Sequence, residues 1–89
     1  MITITTIFKA LSDSTRRQIL KMLSLRDMTA GEIAEGFSIS KPSISHHLDV
    51  LRNANLVTTN RQGQFIIYSI NTTIIQQAIS CLIEYQSKK

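Results

Sequence analysis

His46 and His47 stand side by side within SISKPSISHHLDVLRNANLV, residues 38–57, and they are the only histidines of the chain. Such a pair can serve a metal site, a proton transfer, or a surface that reads a partner by hydrogen bonds. Spacing decides among these. Neighbouring residues on a helix diverge by about 100°, so the two imidazoles cannot easily grip one ion. Helical metal pairs sit at i, i+3 or i+4, as in H-E-x-x-H, and two ligands leave a zinc site incomplete. Ser45 beside His46 fails as a nucleophile–base dyad for the same geometric reason. Cys81 is the only cysteine. Its place beside Ile79, Leu82 and Ile83 predicts a buried structural thiol rather than a redox switch. There is no Gly-rich phosphate loop and no carboxylate pair with a pocket. The sequence therefore predicts no enzyme, no metal and no cofactor.

What remains is a binding surface, and charge says for what. Ten Lys and Arg against six Asp and Glu give a formal net charge of +4, a moderate excess that favours an anionic partner. Between Phe37 and Ile83 the basic residues are Lys41, Arg52 and Arg61, and the only acid is Asp49. That part of the chain can face phosphate with little like-charge repulsion, although an ordinary basic surface gives the same numbers. At 89 residues the chain reads as one small domain, 1–89, whose modest core gains from a partner subunit. A lone cysteine fits a reducing compartment. The start, MITITTIF, lacks a basic leader, and no apolar run approaches membrane-spanning length. The expectation is a complete, cytoplasmic protein.

The elements that position this surface follow from periodicity and caps. Ile4, Ile7, Phe8 and Leu11 mark one apolar face of a first helix over 3–11. Asp13 is a good N-cap for a second helix, STRRQILKMLSL, with Ile19, Leu20, Met22 and Leu23 inward. Thr29 and Glu32 have capping-box spacing and open a short third helix carrying Ile33, Ala34 and Phe37. Gly36 lies near its end. Ser40 caps a fourth helix with Pro42 in its first turn, ending near Ala54. Asn55 takes the left-handed position that follows a helix. The runs LVTTN and QFIIYSI are rich in β-branched and aromatic residues, and they flank Arg61, Gln62 and Gly63 as a hairpin tip. A last helix over about 72–86 carries Ile74, Ile75, Ala78, Ile79, Leu82 and Ile83. That apolar set is wider than one core-facing stripe, which implies a second surface to cover.

A short helix, a tight turn, a capped second helix and a hairpin make a winged helix-turn-helix. The predicted fold is mainly α with a small β-hairpin, in the order α-α-α-α-β-β-α. The second helix of such a motif fits the major groove of DNA. The pieces FKALSDSTRRQIL, MTAGEIAEGFSISKPSISHHLDVLRNANLV and RQGQFIIYSI, in this order and spacing, resemble the ArsR/SmtB family of winged helix-turn-helix repressors over almost the whole chain. The pattern TAGEIA…SKPSISHHL…GQFIIYS looks closest to a metal-independent branch that includes the SdpR-type autorepressors. Ser14 and Asn55 stand where the family often has Pro and Gly, and both suit a cap or turn. The resemblance implies a homodimer joined through the first and last helices, bound to double-stranded DNA at an operator to block transcription. It further points to autoregulation and to release by a regulatory protein partner, at a membrane. Metal sensors of the family carry cysteines in the helix before the turn, or Asp and His along the last helix. Here EIAEGF has no cysteine, and TTIIQQAISCLIEYQSKK has neither Asp nor His, with only Glu84 and Cys81 able to ligate.

The candidate DNA contacts are then residue by residue. Lys41, Ser43, Ser45 and His46 lie at the start and outer side of the fourth helix, where they can meet bases or phosphate. His46 shares that side with Pro42 and Asp49, and plain solvent exposure is its alternative. Ser40 either contacts or only caps. Thr29 and Ala30 open the preceding helix and can meet the backbone through N–H groups. Arg61, Gln62 and Gln64 belong to the wing, where Arg61 is either a phosphate or minor-groove anchor or part of a solvated turn. His47, at the edge of the buried face of Ile44, Leu48 and Leu51, is a packing residue with one hydrogen bond. Of Arg16 and Arg17, one is free to pair with Asp13 and the other to touch phosphate. Ile4, Ile7, Phe8, Leu11, Ile75, Ile79, Leu82 and Ile83 form the expected dimer interface. The competing reading is a winged-helix protein-interaction module without DNA. The polar, cation-bearing face from Lys41 to Asp49 argues against it, because a protein groove binder shows an apolar face there.

Overall fold

Side-chain caps set where the helices begin. In the computed structural model, which describes residues 3–87 and side chains through residue 84, the Thr3 hydroxyl accepts from the Thr6 N–H at 3.2 Å and starts α1, Ile4–Leu11. Asp13 accepts from the Arg16 N–H at 3.1 Å and starts α2, Ser14–Leu25. After a two-residue strand, β1 (Met28–Thr29), comes α3, Ala30–Glu35. Its capping box is complete: Thr29 Oγ1 accepts from the Glu32 N–H at 3.1 Å, and Glu32 accepts from the Thr29 N–H at 2.9 Å. Ser40 Oγ accepts from the Ser43 N–H at 3.3 Å and opens α4, Lys41–Asn53, with Pro42 in its first turn. Each such cap contributes about 1 kcal/mol. Asn55 follows α4 at φ 60°, the left-handed geometry expected of it.

The sheet differs from the expected hairpin in two ways. β2 (Val57–Gln62) and β3 (Phe65–Ile70) pair antiparallel, but β1 adds a third strand in the order β1-β3-β2, with Met28 opposite Tyr68 and Thr29 opposite Ile67. A two-residue strand carries no period, so nothing local announces it. Second, Arg61 and Gln62 belong to β2, and the tip is Gly63–Gln64, closed by the pair Gln62–Phe65. Gly63 sits at φ +62°, the requirement of a two-residue turn that begins with glycine.

The core joins every layer. Ile19 and Leu23 of α2, Ile33 of α3, Ile44, Leu48 and Leu51 of α4, and Leu56 and Val57 at the root of the wing are fully buried. The α4 trio has the i, i+4, i+7 spacing of one helical face. Gly36 keeps ordinary φ (−83°). Its lack of a side chain matters for another reason, since a Cβ there would lie 2.9 Å from the Met22 methyl. α5, Thr72–Ser87, leaves the sheet after Asn71 and packs on the core through Ile74, Ile75 and Ala78. Beyond Ala78 the side chains of Ile79, Leu82 and Ile83 are exposed. The molecule accordingly measures 48 × 26 × 25 Å.

Candidate nucleic-acid interface

Because Ile44, Leu48 and Leu51 fix the inner face of α4, its outer face is fixed as well. Lys41, Pro42, Ser43, Ser45, His46 and Asp49 are all exposed. Ser40 does cap, and its hydroxyl also lies 3.0 Å from that of Ser43, so both serines belong to the helix start before any partner arrives. Asp49, the acid on this face, has Arg52 at 3.6 Å. This offsets a charge that would otherwise repel phosphate.

The start of α3 lies against the start of α4. A shallow groove of about 170 Å³ is lined by Ala30, Gly31, Ala34, Lys41, Ile44 and Ser45. Ala30, Lys41 and Ser45 are thus brought together, and the small residues Gly31 and Ala34 complete the surface. Sequence reasoning missed these two. Their one signal is that a Cβ on Gly31 would find nothing nearer than 3.9 Å, so packing within the chain does not demand glycine there. Thr29 is committed to its capping box and to β1. Gln62 shares a second groove with Thr29, Glu32, Phe65 and Ile67. Strand alternation turns the neighbouring Arg61 to the opposite face. Arg61, Gln62 and Gln64 are all exposed.

His47 is half-buried, as expected of a packing residue. Its Nδ1 lies 3.2 Å from Arg16 Nη1 and 3.9 Å from Asp13 Oδ2. A neutral imidazole with its proton on Nε2 accepts from Arg16 in this geometry. The arginines depart from the expected division of labour. Arg16 Nε donates to the Ala10 carbonyl at 2.7 Å and Nη2 to that of Lys9 at 3.3 Å, while Arg17 donates to the Leu11 carbonyl at 2.8 Å. Both therefore satisfy the free carbonyls at the end of α1, where cations are favoured. Asp13 is occupied as a cap. The Arg16 backbone N–H holds its carboxyl below the usual range against the opposing effect of burial, with smaller help from His47, when that ring is protonated, and from the Arg16 charge.

The expected dimer residues divide. Ile7, only 7% exposed, belongs to the chain's own core, which corrects its place in an intersubunit set. It sits on the same side of α1 as buried Ala10, facing the body. Phe8, Leu11 and Ile75 are half-buried, Leu11 and Ile75 against that core. Ile4, Ile79, Leu82 and Ile83 are 38%, 52%, 49% and 62% exposed. Cys81 is exposed as well, contrary to the buried thiol expected: its helix runs past the core, and no described residue buries it. Among the described residues no group of three or more His, Cys, Asp or Glu gathers as a metal site, and no helix is long and apolar enough to cross a membrane.

Comparison with known proteins agrees with this geometry. The model of the bacterial regulatory protein, arsR family, matches residues 13–59, from the cap of α2 into the wing. The chain is 55% identical over 82 residues to the transcriptional repressor SdpR of Bacillus subtilis (strain 168), covering 92% of this chain and 91% of that protein. It is 39% identical over 79 residues to an arsenical resistance operon repressor of Staphylococcus aureus, covering 89% and 76%. Among solved structures, an ArsR family transcriptional regulator superposes with TM-score 0.86 at 31% identity, over 93% of this chain and 91% of that one. An ArsR-like transcriptional regulator from Rhodococcus sp. RHA1 superposes with TM-score 0.88 at 28% identity, over 96% and 80%. The chain belongs to the ArsR family of bacterial regulatory proteins: it is a winged helix-turn-helix, DNA-binding transcriptional repressor, and not an enzyme.

Proposed function

We propose that the protein acts as a homodimer on an inverted-repeat operator and that it does so without a metal. The observation that carries this reading is the division of surfaces. Lys41, Ser43, Ser45 and His46 form a polar, exposed edge over the buried face of α4. Ile4 of α1 and Ile79, Leu82 and Ile83 of α5 are large apolar side chains 38%, 52%, 49% and 62% exposed among the described residues. In the proposed complex the start of α4 enters the major groove. Ser40, Thr29 and Ala30 lie along the backbone, and Arg61, Gln62 and Gln64 follow the adjacent strand. Closing the apolar face against a second copy, with Phe8, Leu11 and Ile75 at its margin, sets the two recognition helices about 34 Å apart, one turn of DNA. The domain thus spans 1–89 with a dimerisation helix at each end. The likeness to the transcriptional repressor SdpR supports repression; that the protein represses its own gene, and that a regulatory protein partner at a membrane releases it, are proposed with it.

Gel shifts with fragments of the source genome at low salt test the DNA reading. A retarded fragment is expected; none at all favours the protein-interaction module. Light scattering at micromolar concentration tests the assembly, and a monomer there refutes it.

A further inference from the structure

A cleft of about 530 Å³ opens between α1, the first turn of α2 and the side of α4 away from α3. It falls within the size range of small-molecule sites, about 300–1,000 Å³. Ala10 and Val50 supply an apolar floor. Lys9, Arg16, His46 and Asn53 stand around it, and none of its described lining residues is a carboxylate. Among the described residues the side chains of Lys9, His46 and Asn53 make no hydrogen bond, and the Lys9 carbonyl accepts from Ser12 and Arg16. The Arg16 guanidinium is already fixed at the wall by the Ala10 and Lys9 carbonyls, so it loses little freedom on meeting a ligand.

We propose that this cleft binds a small organic anion, a monocarboxylate with an apolar body, and that the bound anion weakens DNA binding. Charge complementarity selects the occupant: cationic and amide donors surround an apolar floor, no carboxylate is in the described lining, and the nearby Asp13 and Asp49 are engaged by the Arg16 N–H and by Arg52. Coupling follows from His46, which lines the cleft and also belongs to the edge proposed to enter the groove. A carboxylate drawn against Lys9, Arg16 and His46 places negative charge beside the DNA and removes His46 from the groove. Each ligand then weakens the other by the same factor. The effect on DNA rests on the repressor reading above; binding of the anion does not.

Amide NMR of the full chain, titrated with benzoate at constant ionic strength, tests the site, with benzamide as an uncharged probe of the same shape. Saturable shifts are expected at Lys9, Ser12, Val50 and Asn53 with benzoate and not with benzamide. Lys9→Gln combined with Asn53→Ala, both at exposed positions, should raise the Kd about tenfold while leaving the rest of the spectrum in place. Benzoate should weaken operator binding by the wild type and not by this double variant, whose benzoate-free affinity stays within about twofold of wild type. Absence of saturable shifts, an equal response to benzamide, or shifts centred elsewhere overturns the proposal. So does loss of operator binding by the double variant without benzoate, which makes the cleft part of the DNA surface. Benzoate binding at the cleft in a chain that retains no DNA supports the site and counts against the operator reading instead.

Discussion

Lys41 and Arg61 carry the positive charge of the proposed contact surface, one at the start of α4 and one on the wing. Each phosphate contact releases about one counterion, so Lys41→Ala with Arg61→Ala should reduce the slope of log affinity against log salt by about 2. A slope equal to wild type, read from fluorescence anisotropy across a salt series, removes both residues from the phosphate contacts. Arg16 makes a different prediction. It spans the Lys9 and Ala10 carbonyls and His47 Nδ1, and an ammonium cannot reproduce that fork. Arg16→Lys should therefore destabilise the fold by about 1 kcal/mol in a denaturant titration; an unchanged midpoint argues that the fork contributes nothing. The two histidines were separable from sequence because the wheel of a single helix separates them. The partners of Arg16 were not, because His47 is 31 residues away and carbonyl acceptors leave no trace in residue type.

At the scale of elements, boundaries written in cap chemistry were legible. Asp13, Thr29 with Glu32, and Ser40 each start the helix expected of them. Asn55 ends α4 at φ 60°, so Asn55→Val should cost about 1 kcal/mol or more while Asn55→Gly is tolerated. Equal melting temperatures for the two variants contradict that conformational account. The Glu32 carboxyl is held below its usual range by the Thr29 backbone N–H, and then by Arg26 at 3.3 Å. The unfolded chain takes up this proton first, at about pH 4.3. The contribution is thus complete above that value and is lost as pH falls through it and through the lower folded value. Glu32→Gln should lower the melting temperature at neutral pH and flatten its fall below about pH 5. A variant with the wild-type acid profile contradicts this. β1 escaped sequence reading because its pairing with Tyr68 and Ile67 is tertiary. The wing tip excludes Arg61 and Gln62, expected there, because they are polar strand residues with no core beneath them to impose an apolar alternation.

For the whole molecule, the wide apolar set of the last helix was the feature that sequence exposed best. Its inner part, Ile74, Ile75 and Ala78, meets the core, and its outer part does not. Ile7 and Cys81 were misplaced for one reason: a stripe shows which residues share a face, not which body covers it. Leu82→Glu should leave the monomer folded, since Leu82 is 49% exposed. It should also convert a dimer to a monomer in light scattering, with loss of operator affinity. A dimeric Leu82→Glu protein moves the interface elsewhere. In the proposed complex two copies of this surface read one symmetric DNA site. Selection of bound fragments from random-sequence DNA reads out that symmetry. The predicted result is an enriched inverted repeat with half-site centres about 10 base pairs apart; recovery of no enriched sequence, or of a single half-site, contradicts it.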